Sequence, residues 1–455
     1  MIESSMTKAA ESMHGVLQGS DVQFRGVSTD TRTIASGELF VALSGPNFNG
    51  SDFLKAAEER QAAGAVTSDS AAVTTLPKIT VADSRLALGS LASSWRQEMP
   101  ASIIGITGSN GKTTLKELIA SCLSQSAETL ATHGNLNNDI GLPLMLLKLE
   151  PLHRYAVIEM GANHAGEIEY LTSLAAPSVV AITNAGPAHL EGFGTIEGVA
   201  KAKGEILQSA ERPRAAILNA DDAWFDYWAS LVSDLQLISF GLSSNAAVHA
   251  SDISVHSDGT SFHLQMPNDQ LQINLPLQGV HNVRNACAAA AVSLAFDLTA
   301  EQIKNGLETV APVAGRLQPL AGIGGSRIFD DSYNSNPASA IAAAEFLVTQ
   351  KGSSILVLAD MRELGEDGKA LHKSVGVAAR DVGIDRLLAT GELSKHTVDA
   401  FGEGATWYES AEEIGVDLCN TLCADQNVLV KGSRSMHMGR VVRAIQPATR
   451  EKADG

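Results

Sequence analysis

Residues 106–115 read ITGSNGKTTL and indicate the architecture of the middle of the chain. A phosphate-binding loop follows the pattern G-x-x-x-x-G-K-[ST]; residues 111–113 match its last three positions, whereas Ile106 stands where the leading glycine belongs. The apolar run SIIGIT (102–107) predicts a buried strand, and LKELIASCLSQ (115–125) has helical periodicity. Free N–H groups and the helix dipole at such a junction bind phosphate oxygens. We therefore predict a nucleotide site here.

Single residues of this loop have separate chemical uses. Gly108 and Gly111 allow the backbone to approach a ligand closely. Lys112 supplies a positive charge for the β- and γ-phosphates, and the Thr113 hydroxyl can reach Mg²⁺. The alternative is a glycine-rich turn with a solvated lysine. Because the strand, the glycines, the Lys-Thr pair and the helix occur in register, we favour the nucleotide site.

The composition argues against several classes of protein. The chain has 455 residues and a formal net charge of −18, which disfavours nonspecific binding to nucleic acid or to anionic membranes. No apolar stretch approaches the ~20 residues of a membrane span, and the first residues lack the pattern of a signal peptide. We expect a cytoplasmic protein without nucleic-acid partners. Cys419 and Cys423, four apart in a predicted helix, are expected to be buried or half-buried thiols rather than metal ligands.

The length predicts several domains, because one hydrophobic core rarely serves so long a chain. We expect an α/β fold with three domains. Residues 1–84 form a small N-terminal α/β domain, residues 85–314 a central P-loop parallel-sheet ATPase domain with an antiparallel β section, and residues 315–455 a C-terminal Rossmann-like α/β domain. The two hinges are placed near Pro100 and in APVAGRLQPL (311–320).

Hydrophobic patterns support this division. The apolar runs SIIGIT, YAVIEM, SVVAIT and AAILNA alternate with helical segments, which predicts a parallel sheet covered on both faces. Residues 248–277 alternate apolar and polar positions and predict antiparallel strands. Two helices should follow, the second with Thr299 as N-cap and Gln302 in a capping box. Near the C-terminus, four more apolar runs alternate with helices.

The loop TGSNGKTT closely resembles the ATP loop of the Mur ligases, the cytoplasmic amide-forming enzymes of bacterial peptidoglycan synthesis, and of the related folylpolyglutamate synthases. Further motifs occur in the order of that family, across all three predicted domains: STDTR (28–32), GELFVAL (37–43), GNLNNDIG (134–141), VIEMGANHAGEI (157–168), AHLEGFG (188–194), KAKGEI (201–206), GVHNVRNA (279–286), GRL (315–317), DDSYNSNPAS (330–339) and KGSR (431–434). The set is most similar to family members that join D-alanyl-D-alanine to UDP-N-acetylmuramoyl-tripeptide.

The resemblance implies a mechanism without a protein nucleophile. A substrate carboxylate attacks the γ-phosphate of ATP, and an amine then displaces phosphate from the acyl phosphate. Catalysis of this kind is mostly positioning and charge neutralisation, and no Ser-His-Asp or Cys-His arrangement stands out in the sequence. The resemblance implies ATP and two Mg²⁺ ions as cofactors. It also implies that the protein is a monomer. The third residue of the stem is either diaminopimelate or lysine.

The resemblance also assigns roles to residues. The catalytic set comprises Lys112, Glu159, His189, Lys203 and Arg316, and the metal ligands are Thr113, Glu159 and His189. ATP is expected to meet Thr107, Gly108, Ser109, Asn110, Gly111, Lys112, Thr113, Thr114, Asn282, Arg316 and Asp331. The UDP substrate should meet Ser28, Thr29, Asp30, Arg32, Asn135, Asn137 and Asn138. The dipeptide is assigned to Tyr333, Asn334, Asn336, Lys431, Ser433 and Arg434.

Two lysines of the KAKGEI motif compete for one role. Lys201 and Lys203 lie about 200° apart around a helix axis, so only one can face the site. The resemblance matches Lys203 to the lysine that CO₂ carbamylates, which requires a neutral amine and hence a lowered pKa. Arg316 follows the second hinge, where domain closure would bring its charge onto the γ-phosphate.

Two other classes of protein are compatible with parts of this sequence. One is another ligase of the superfamily, which adds a different amino acid or is a folylpolyglutamate synthase. A folate enzyme should lack the first domain, and the diaminopimelate-adding ligase usually carries DNPR, which is absent here. The other is a P-loop nucleotide switch, which should show an Asn-Lys-x-Asp guanine reader; the chain has no Asn-Lys dipeptide. Amine-stimulated phosphate release would separate the enzyme from the switch.

Overall fold

A computed structural model of the chain describes residues 1–45, 48–256 and 258–447. Within these residues, three main sheets follow one another along the chain, and helices cover them. The predicted fold class, α/β with a central parallel sheet and an antiparallel section, is confirmed.

The first sheet is small and mostly parallel. The strands of this region are β1 (Glu3–Ser5), β2 (Val16–Gln18), β3 (Gln23–Arg25), β4 (Val27–Ser28), β5 (Leu39–Val41), β6 (Ser44–Gly45), β7 (Phe48–Asn49), β8 (Gly64–Thr67) and β9 (Lys78–Thr80). Its helices are α1 (Met6–Ser12), α2 (Leu54–Glu59) and α3 (Ser84–Glu98). The sheet order is β2-β9-β8-β5-β4, with only β2 antiparallel to its neighbour. Asp83 caps α3 by accepting from two N–H groups of its first turn.

The central sheet has the order β11-β12-β10-β13-β14-β15-β16-β17-β18. Its strands are β10 (Ser102–Thr107), β11 (Thr129–Ala131), β12 (Tyr155–Glu159), β13 (Val179–Ile182), β14 (Ala215–Asn219), β15 (Gln236–Gly241), β16 (Val248–His256), β17 (Gly259–Gln265) and β18 (Gln270–Leu275). The accompanying helices are α4 (Lys112–Leu123), α5 (Gly141–Leu146), α6 (Glu167–Ala175), α7 (Leu190–Phe193), α8 (Ile196–Gly204), α9 (Phe225–Ser230), α10 (Val280–Ala295) and α11 (Ala300–Glu308). The pairs β16–β17 and β17–β18 are antiparallel, as predicted for this section.

Both faces of the central sheet are buried, which explains its near-continuous apolar strands. Ile103 packs in one hydrophobic cluster with residues of α5 and α6, whereas Ile104 packs in another with α4 and α10. The first cluster continues through α3 into the N-terminal sheet. The Thr299–Gln302 capping box of α11 is present as predicted.

The third sheet has the order β19-β20-β24-β21-β22-β23, with β19 antiparallel and the rest parallel. Its strands are β19 (Gln318–Ala321), β20 (Arg327–Asp331), β21 (Ser353–Ala359), β22 (Arg386–Thr390), β23 (Ala405–Tyr408) and β24 (Gln426–Lys431). Its helices are α12 (Pro337–Val348), α13 (Gly368–Asp381), α14 (Ser394–Phe401), α15 (Ala411–Thr421) and α16 (Gly439–Ile445).

Two sequence-based expectations can be compared with this fold. The expectation for the paired cysteines is wrong, because α15 ends before Cys423, and Cys419 and Cys423 are both exposed. Among the described residues, no helix combines the length and apolar character needed to cross a membrane.

Candidate active site

The phosphate-binding loop joins the end of β10 to the start of α4, and its glycines are required by geometry. Gly108 has φ +142°, and a Cβ there would lie 1.9 Å from Thr183 Oγ1. Gly111, the N-cap of α4, has φ +82°, and a Cβ would lie 2.8 Å from Asn285 Oδ1. Ile106 is fully buried inside β10. The missing first glycine is therefore a strand residue, and the turn needs only the two glycines that remain.

The segment after β13 holds this loop in place. The Asn110 N–H donates to Asn184 Oδ1 at 3.0 Å, and Thr183 Oγ1 donates to the Asn110 carbonyl at 2.7 Å. The Gly186 N–H donates to Ser109 Oγ at 2.9 Å. Sequence reasoning missed these supports, although their position directly after a central strand was a usable signal.

Lys112, Thr113 and Glu159 form the polar centre of the loop. Lys112 Nζ donates to the Gly108 carbonyl at 2.6 Å, and burial lowers the pKa of this lysine, against an opposing effect of Glu159. Thr113 Oγ1 donates to Glu159 Oε2 at 2.9 Å, and Asn137 Nδ2 donates to Oε1 at 2.7 Å. Glu159 ends β12 and is only 3% exposed. A buried carboxylate thus meets the first hydroxyl of the helix.

A cavity of about 660 Å³, the large cavity, opens beside this centre. The residues that line it from the central domain include Ser109, Lys112, Glu159, His189, Asn135, Asn137 and Asn138. From the opposite side it is lined by Arg316, Tyr333, Asn334, Asn336, Ser433 and Arg434. The carboxyl ends of strands from two parallel sheets thus border one space, which is where open α/β sheets bind ligands.

A second cavity of about 370 Å³ also borders the loop. Its lining includes Asn110, Gly111, Thr114, Asn282, Arg316 and Asp331. Asn282 is 5% exposed and donates to the Gln278 carbonyl at 2.8 Å. The Thr107 hydroxyl is buried and donates to the Met160 carbonyl at 2.9 Å, so it is turned away from the loop. Thr107 can therefore offer a ligand only its backbone.

Lys431 contacts one residue assigned to ATP, Asp331, and one assigned to the dipeptide, Asn334. Its ammonium donates to Asp331 Oδ2 at 2.6 Å and to the Asn334 carbonyl at 2.9 Å. It lines the second cavity and not the large one. The side chain is 3% exposed, so its charge is neutralised by the carboxylate. The structure groups Lys431 with Asp331 rather than with Ser433 and Arg434.

Two contacts connect the third domain to the loop. Arg316 Nη2 donates to Thr113 Oγ1 at 3.4 Å, and the guanidinium lies 4.1 Å from the centre of the Tyr333 ring. Asn336 Nδ2 donates to Asn110 Oδ1 at 2.7 Å. The expectation for Arg316 concerns the γ-phosphate, and in the structure its guanidinium already contacts the loop at Thr113.

His189 is placed differently from Thr113 and Glu159. His189 has φ +55° and pairs through Nδ1 with the Glu363 carboxylate of the third domain. This bond lowers the pKa of Glu363. Among the described residues, no group of three or more His, Cys, Asp or Glu side chains could hold a metal ion. Of the three predicted metal ligands, Thr113 and Glu159 are hydrogen-bonded to each other, whereas His189 pairs with Glu363.

The two lysines of α8 face opposite ways, as predicted. Lys203 is 1% exposed, and its Nζ lies 5.1 Å from the centre of the Phe193 ring. Burial, reinforced by the charge of Lys112, lowers the pKa of Lys203 from 10.5 to about 7. Lys201 is exposed and pairs with Glu197 at 2.7 Å. Lys203 does not line either cavity.

The predicted UDP-binding residues of the first domain form a separate turn. The Asp30 N–H donates to Ser28 Oγ at 3.2 Å, and Arg32 bonds the Asp30 carboxylate at 2.6 Å. These bonds to Arg32 lower the pKa of Asp30 to about 2. Ser28, Thr29, Asp30 and Arg32 do not appear among the residues that line the two cavities. The structure brings Asn135, Asn137 and Asn138 to the large cavity without them.

Several residues of the large cavity were missed in the sequence. Arg362 and Glu363 line it from the segment after β21, where the run ADMRELG follows a buried strand. Ser335 also lines it, and within the described residues its hydroxyl is buried without a hydrogen-bond partner. The signal was again their place at the carboxyl end of a parallel strand.

Comparison with known proteins places the chain in a family. Family models match residues 23–96 ("Mur ligase family, catalytic domain"), 106–293 ("Mur ligase middle domain") and 315–434 ("Mur ligase, glutamate ligase domain"). The UDP-N-acetylmuramoyl-tripeptide–D-alanyl-D-alanine ligase of Escherichia coli (strain K12) is 43% identical, covering 98% of this chain and 99% of that protein. The Haemophilus influenzae ligase of the same name is 38% identical, with 98% and 99% covered.

Solved structures agree with the sequence comparison. A crystal structure of MurF from Acinetobacter baumannii superposes with a TM-score of 0.91 at 32% identity, covering 97% of this chain and 98% of that one. The family models together reach into all three sheets, and the middle one includes the loop. This chain therefore belongs to the Mur ligase family.

Proposed function

We propose that this protein joins D-alanyl-D-alanine to UDP-N-acetylmuramoyl-tripeptide, with conversion of ATP to ADP and phosphate, in cytoplasmic synthesis of peptidoglycan precursors. Relatives that carry this activity in their names match nearly the whole chain at 43% and 38% identity. The observation that carries the proposal is the phosphate-binding loop that opens directly onto a cavity of about 660 Å³, lined by two domains. A loop of this kind beside a large polar cavity suits transfer to a second substrate rather than hydrolysis.

The reaction proceeds in two steps. A carboxylate oxygen of the tripeptide attacks the γ-phosphorus of ATP; a C–O–P link forms while the bond to the ADP oxygen breaks. The amine nitrogen of the dipeptide then attacks the acyl carbon. A C–N bond forms, phosphate leaves with the electron pair of the C–O bond, and the nitrogen loses a proton. No protein nucleophile takes part, so the protein supplies position and charge.

The residues at the loop can supply both. The γ-phosphate would lie near Lys112, which now bonds loop carbonyls, and near Arg316, which bonds Thr113. Two positive side chains from different domains would stabilise the charge that develops on the transferred phosphoryl group. The adenosine is assigned to the second cavity, where Asn282 would meet the base and Asp331 the ribose.

The donor set fits Mg²⁺ at one point. The Thr113 hydroxyl and the Glu159 carboxylate lie 2.9 Å apart, and both are oxygen donors of the type Mg²⁺ prefers. In nucleotide enzymes Mg²⁺ takes one or two protein oxygens and fills its shell with water and phosphate oxygens, which these two donors allow. Bound Mg²⁺ would neutralise phosphate charge. His189, oriented by Glu363, is assigned to the second ion.

We assign each substrate to one side of the large cavity. The asparagines Asn135, Asn137 and Asn138 would meet the muramoyl peptide, and the turn at 28–32 would hold the UDP end. Tyr333, Asn334, Asn336, Ser433 and Arg434 would meet the dipeptide, with Arg434 facing its carboxylate. We assign the three domains to residues 1–84, 85–314 and 315–455, and the protein to the monomeric state.

Lys203 is assigned the role of a carbamylated lysine. Its neutral amine would add to CO₂, forming an N–C bond and releasing a proton, so that a cation becomes a carboxylate. The lowered pKa and the nearby charge of Lys112 favour this conversion.

A phosphate-release assay tests the proposed function. UDP-muramoyl-dipeptide and -tripeptide are offered with ATP and with D-alanyl-D-alanine, D-alanine or glycine, with Lys112→Ala as a control for contaminating ATPase. We expect rapid release only for the tripeptide with the dipeptide. Equal release with single amino acids would overturn the specificity, and release without any amine would support a nucleotide switch.

A further inference from the structure

The segment 360–364 connects the core of the third domain to the large cavity. It follows β21 directly, and Arg362, Glu363 and Leu364 line the cavity. The Glu363 carboxylate contacts His189 of the central domain, and its carbonyl accepts from the Glu191 N–H at 3.3 Å. The position of this short segment therefore affects both the cavity wall and the contact between two domains.

Three successive residues anchor the segment to the domain behind it. Asp360 Oδ1 accepts from the Ser394 N–H at 2.8 Å and from the Ser394 hydroxyl at 2.9 Å, and the Asp360 carbonyl accepts from the Ser433 N–H at 3.3 Å. The Met361 N–H donates to His372 Nε2 at 3.0 Å, and the Arg362 N–H donates to Ser433 Oγ at 2.9 Å. Of these anchors, the imidazole of His372 is the one that can change its charge near neutral pH.

The histidine is committed to one protonation state. His372 lies on α13 and is 1% exposed. Its Nδ1 bonds the Gly368 carbonyl at 2.7 Å and must therefore carry hydrogen, which leaves the lone pair of Nε2 to accept from Met361. A proton on Nε2 would place two donors against each other. The anchor thus exists only with a neutral ring.

We propose that His372 is a positioning residue for the incoming dipeptide, because its neutral imidazole fixes Met361 and thereby the cavity segment 360–364. The inference rests on the proposed function, in which the large cavity takes D-alanyl-D-alanine. His372 itself lines neither cavity, so it acts only through the segment. Loss of the anchor should weaken dipeptide binding more than ATP binding, although Glu363 of this segment also contacts His189, which is assigned to the second ion.

The pH dependence has a defined sign. Burial lowers the pKa of His372 below its ordinary 6.5; the Gly368 bond and Asp360 oppose this effect, whereas His396 and Arg362 reinforce it. As pH falls below the ordinary value, the unfolded chain takes up the proton before the folded one, and stability decreases. The bond from the Met361 N–H to His372 is fully formed above pH 6.5 and is lost as the pH falls through the lowered pKa of His372.

Two substitutions separate positioning from packing. In His372→Gln, the amide can accept from Met361 and donate to Gly368 without titrating; in His372→Leu, the volume is kept but the acceptor is lost. His396→Gln, a half-buried histidine on α14, is the matched control. KM for D-alanyl-D-alanine and for ATP are measured from about pH 5.5 to about pH 8. Deuterium uptake of a peptide covering 360–364 is followed in parallel.

The expected results differ between variants. His372→Leu should raise KM for the dipeptide about tenfold, the effect of one lost buried hydrogen bond, with KM for ATP within about twofold. His372→Gln should keep the wild-type KM near pH 8 and lose the acid-side rise. His396→Gln should keep this rise and move it to slightly higher pH, because the variant removes a charge that lowers the pKa of His372. Deuterium uptake at 360–364 should increase in His372→Leu and, at acidic pH, in wild type.

Three outcomes would overturn the inference. These are equal rises in both KM values, unchanged deuterium uptake in His372→Leu, and a wild-type pH profile in His372→Gln. If His372→Leu does not fold, the pH profile of KM and the deuterium uptake at 360–364, both measured on His372→Gln, decide the question. Absence of dipeptide-dependent turnover in wild type would reject the proposed function instead, and the uptake experiment would still test the anchor.

Discussion

Replacement of Lys203 by methionine should remove most of the activity without unfolding the protein. With a pKa of about 7 instead of 10.5, about half of the amines are neutral at pH 7, compared with about 3 in 10⁴ for an ordinary lysine. The neutral form that CO₂ attacks is therefore more abundant by a factor on the order of 10³. If the carbamate helps to hold cations at the phosphates, its loss should lower kcat at least about 100-fold.

Methionine is chosen because it nearly keeps the volume of the buried side chain. A lysine whose pKa is lowered by folding destabilises the folded state wherever the unfolded chain would bind its proton, which here covers neutral pH. Lys203→Met should therefore be at least as stable as wild type at pH 7. Loss of activity with an unchanged or higher Tm would then report function rather than unfolding.

Lys201→Met is the matched control, since it removes a lysine from the same helix. Its side chain is 61% exposed and its pair with Glu197 is a surface ion pair of small value. We expect Lys201→Met to keep wild-type activity. Added formate or acetate should partly restore Lys203→Met but not change Lys201→Met, because a small carboxylate could replace the missing anion.

The direct assay uses ¹³C-bicarbonate and NMR of the active enzyme. A carbamate carbon signal present in wild type and Lys201→Met, and absent in Lys203→Met, is expected. An active wild-type enzyme with no such signal, or a Lys203→Met variant with normal turnover, would show that the lysine is not modified or not needed.

Three further substitutions have defined outcomes. Lys112→Ala should lower kcat by at least about 10²-fold, with Tm little changed, because the only hydrogen bonds of the ammonium within the described residues go to the Gly108 and Ser109 carbonyls; normal turnover would reject the nucleotide site. Arg316→Lys should also lower kcat strongly while nucleotide affinity changes little, because lysine cannot both stack on Tyr333 and reach Thr113; a stopped-flow nucleotide titration separates the two effects, and unchanged kcat would contradict the assignment. Ser335→Ala should leave Tm unchanged or higher, since the hydroxyl is buried without a partner in the described structure; a clear decrease in Tm would contradict this.

The central architecture could be predicted because both its periodicity and its loop chemistry are local. Apolar runs buried on two faces leave continuous hydrophobic strands, and the strand–glycine–Lys–Thr–helix order is readable in ten residues. The opposite orientations of Lys201 and Lys203 follow from helix geometry alone, and the structure agrees.

The rest depends on contacts that are distant in sequence. His189 meets Glu363 and Asn110 meets Asn336 only because two sheets face each other, and no local pattern encodes that approach. The resemblance assigns Lys431 to the dipeptide, whereas its register opposite Asp331 in β20 places its ammonium on that carboxylate at the second cavity. Contacts between neighbouring strands depend on their register, which the sequence of one strand does not show.

Oxygen transfer from the acceptor to phosphate would test the proposed chemistry. UDP-N-acetylmuramoyl-tripeptide labelled with oxygen-18 in its reacting carboxylate is incubated with ATP, D-alanyl-D-alanine and the enzyme, and the phosphate is analysed by mass spectrometry. Attack by the carboxylate on the γ-phosphorus, followed by displacement at carbon, predicts one oxygen-18 atom in each phosphate formed per amide. Unlabelled phosphate would mean that water cleaves the nucleotide, and the assignment of this protein as an acyl-phosphate ligase would be wrong.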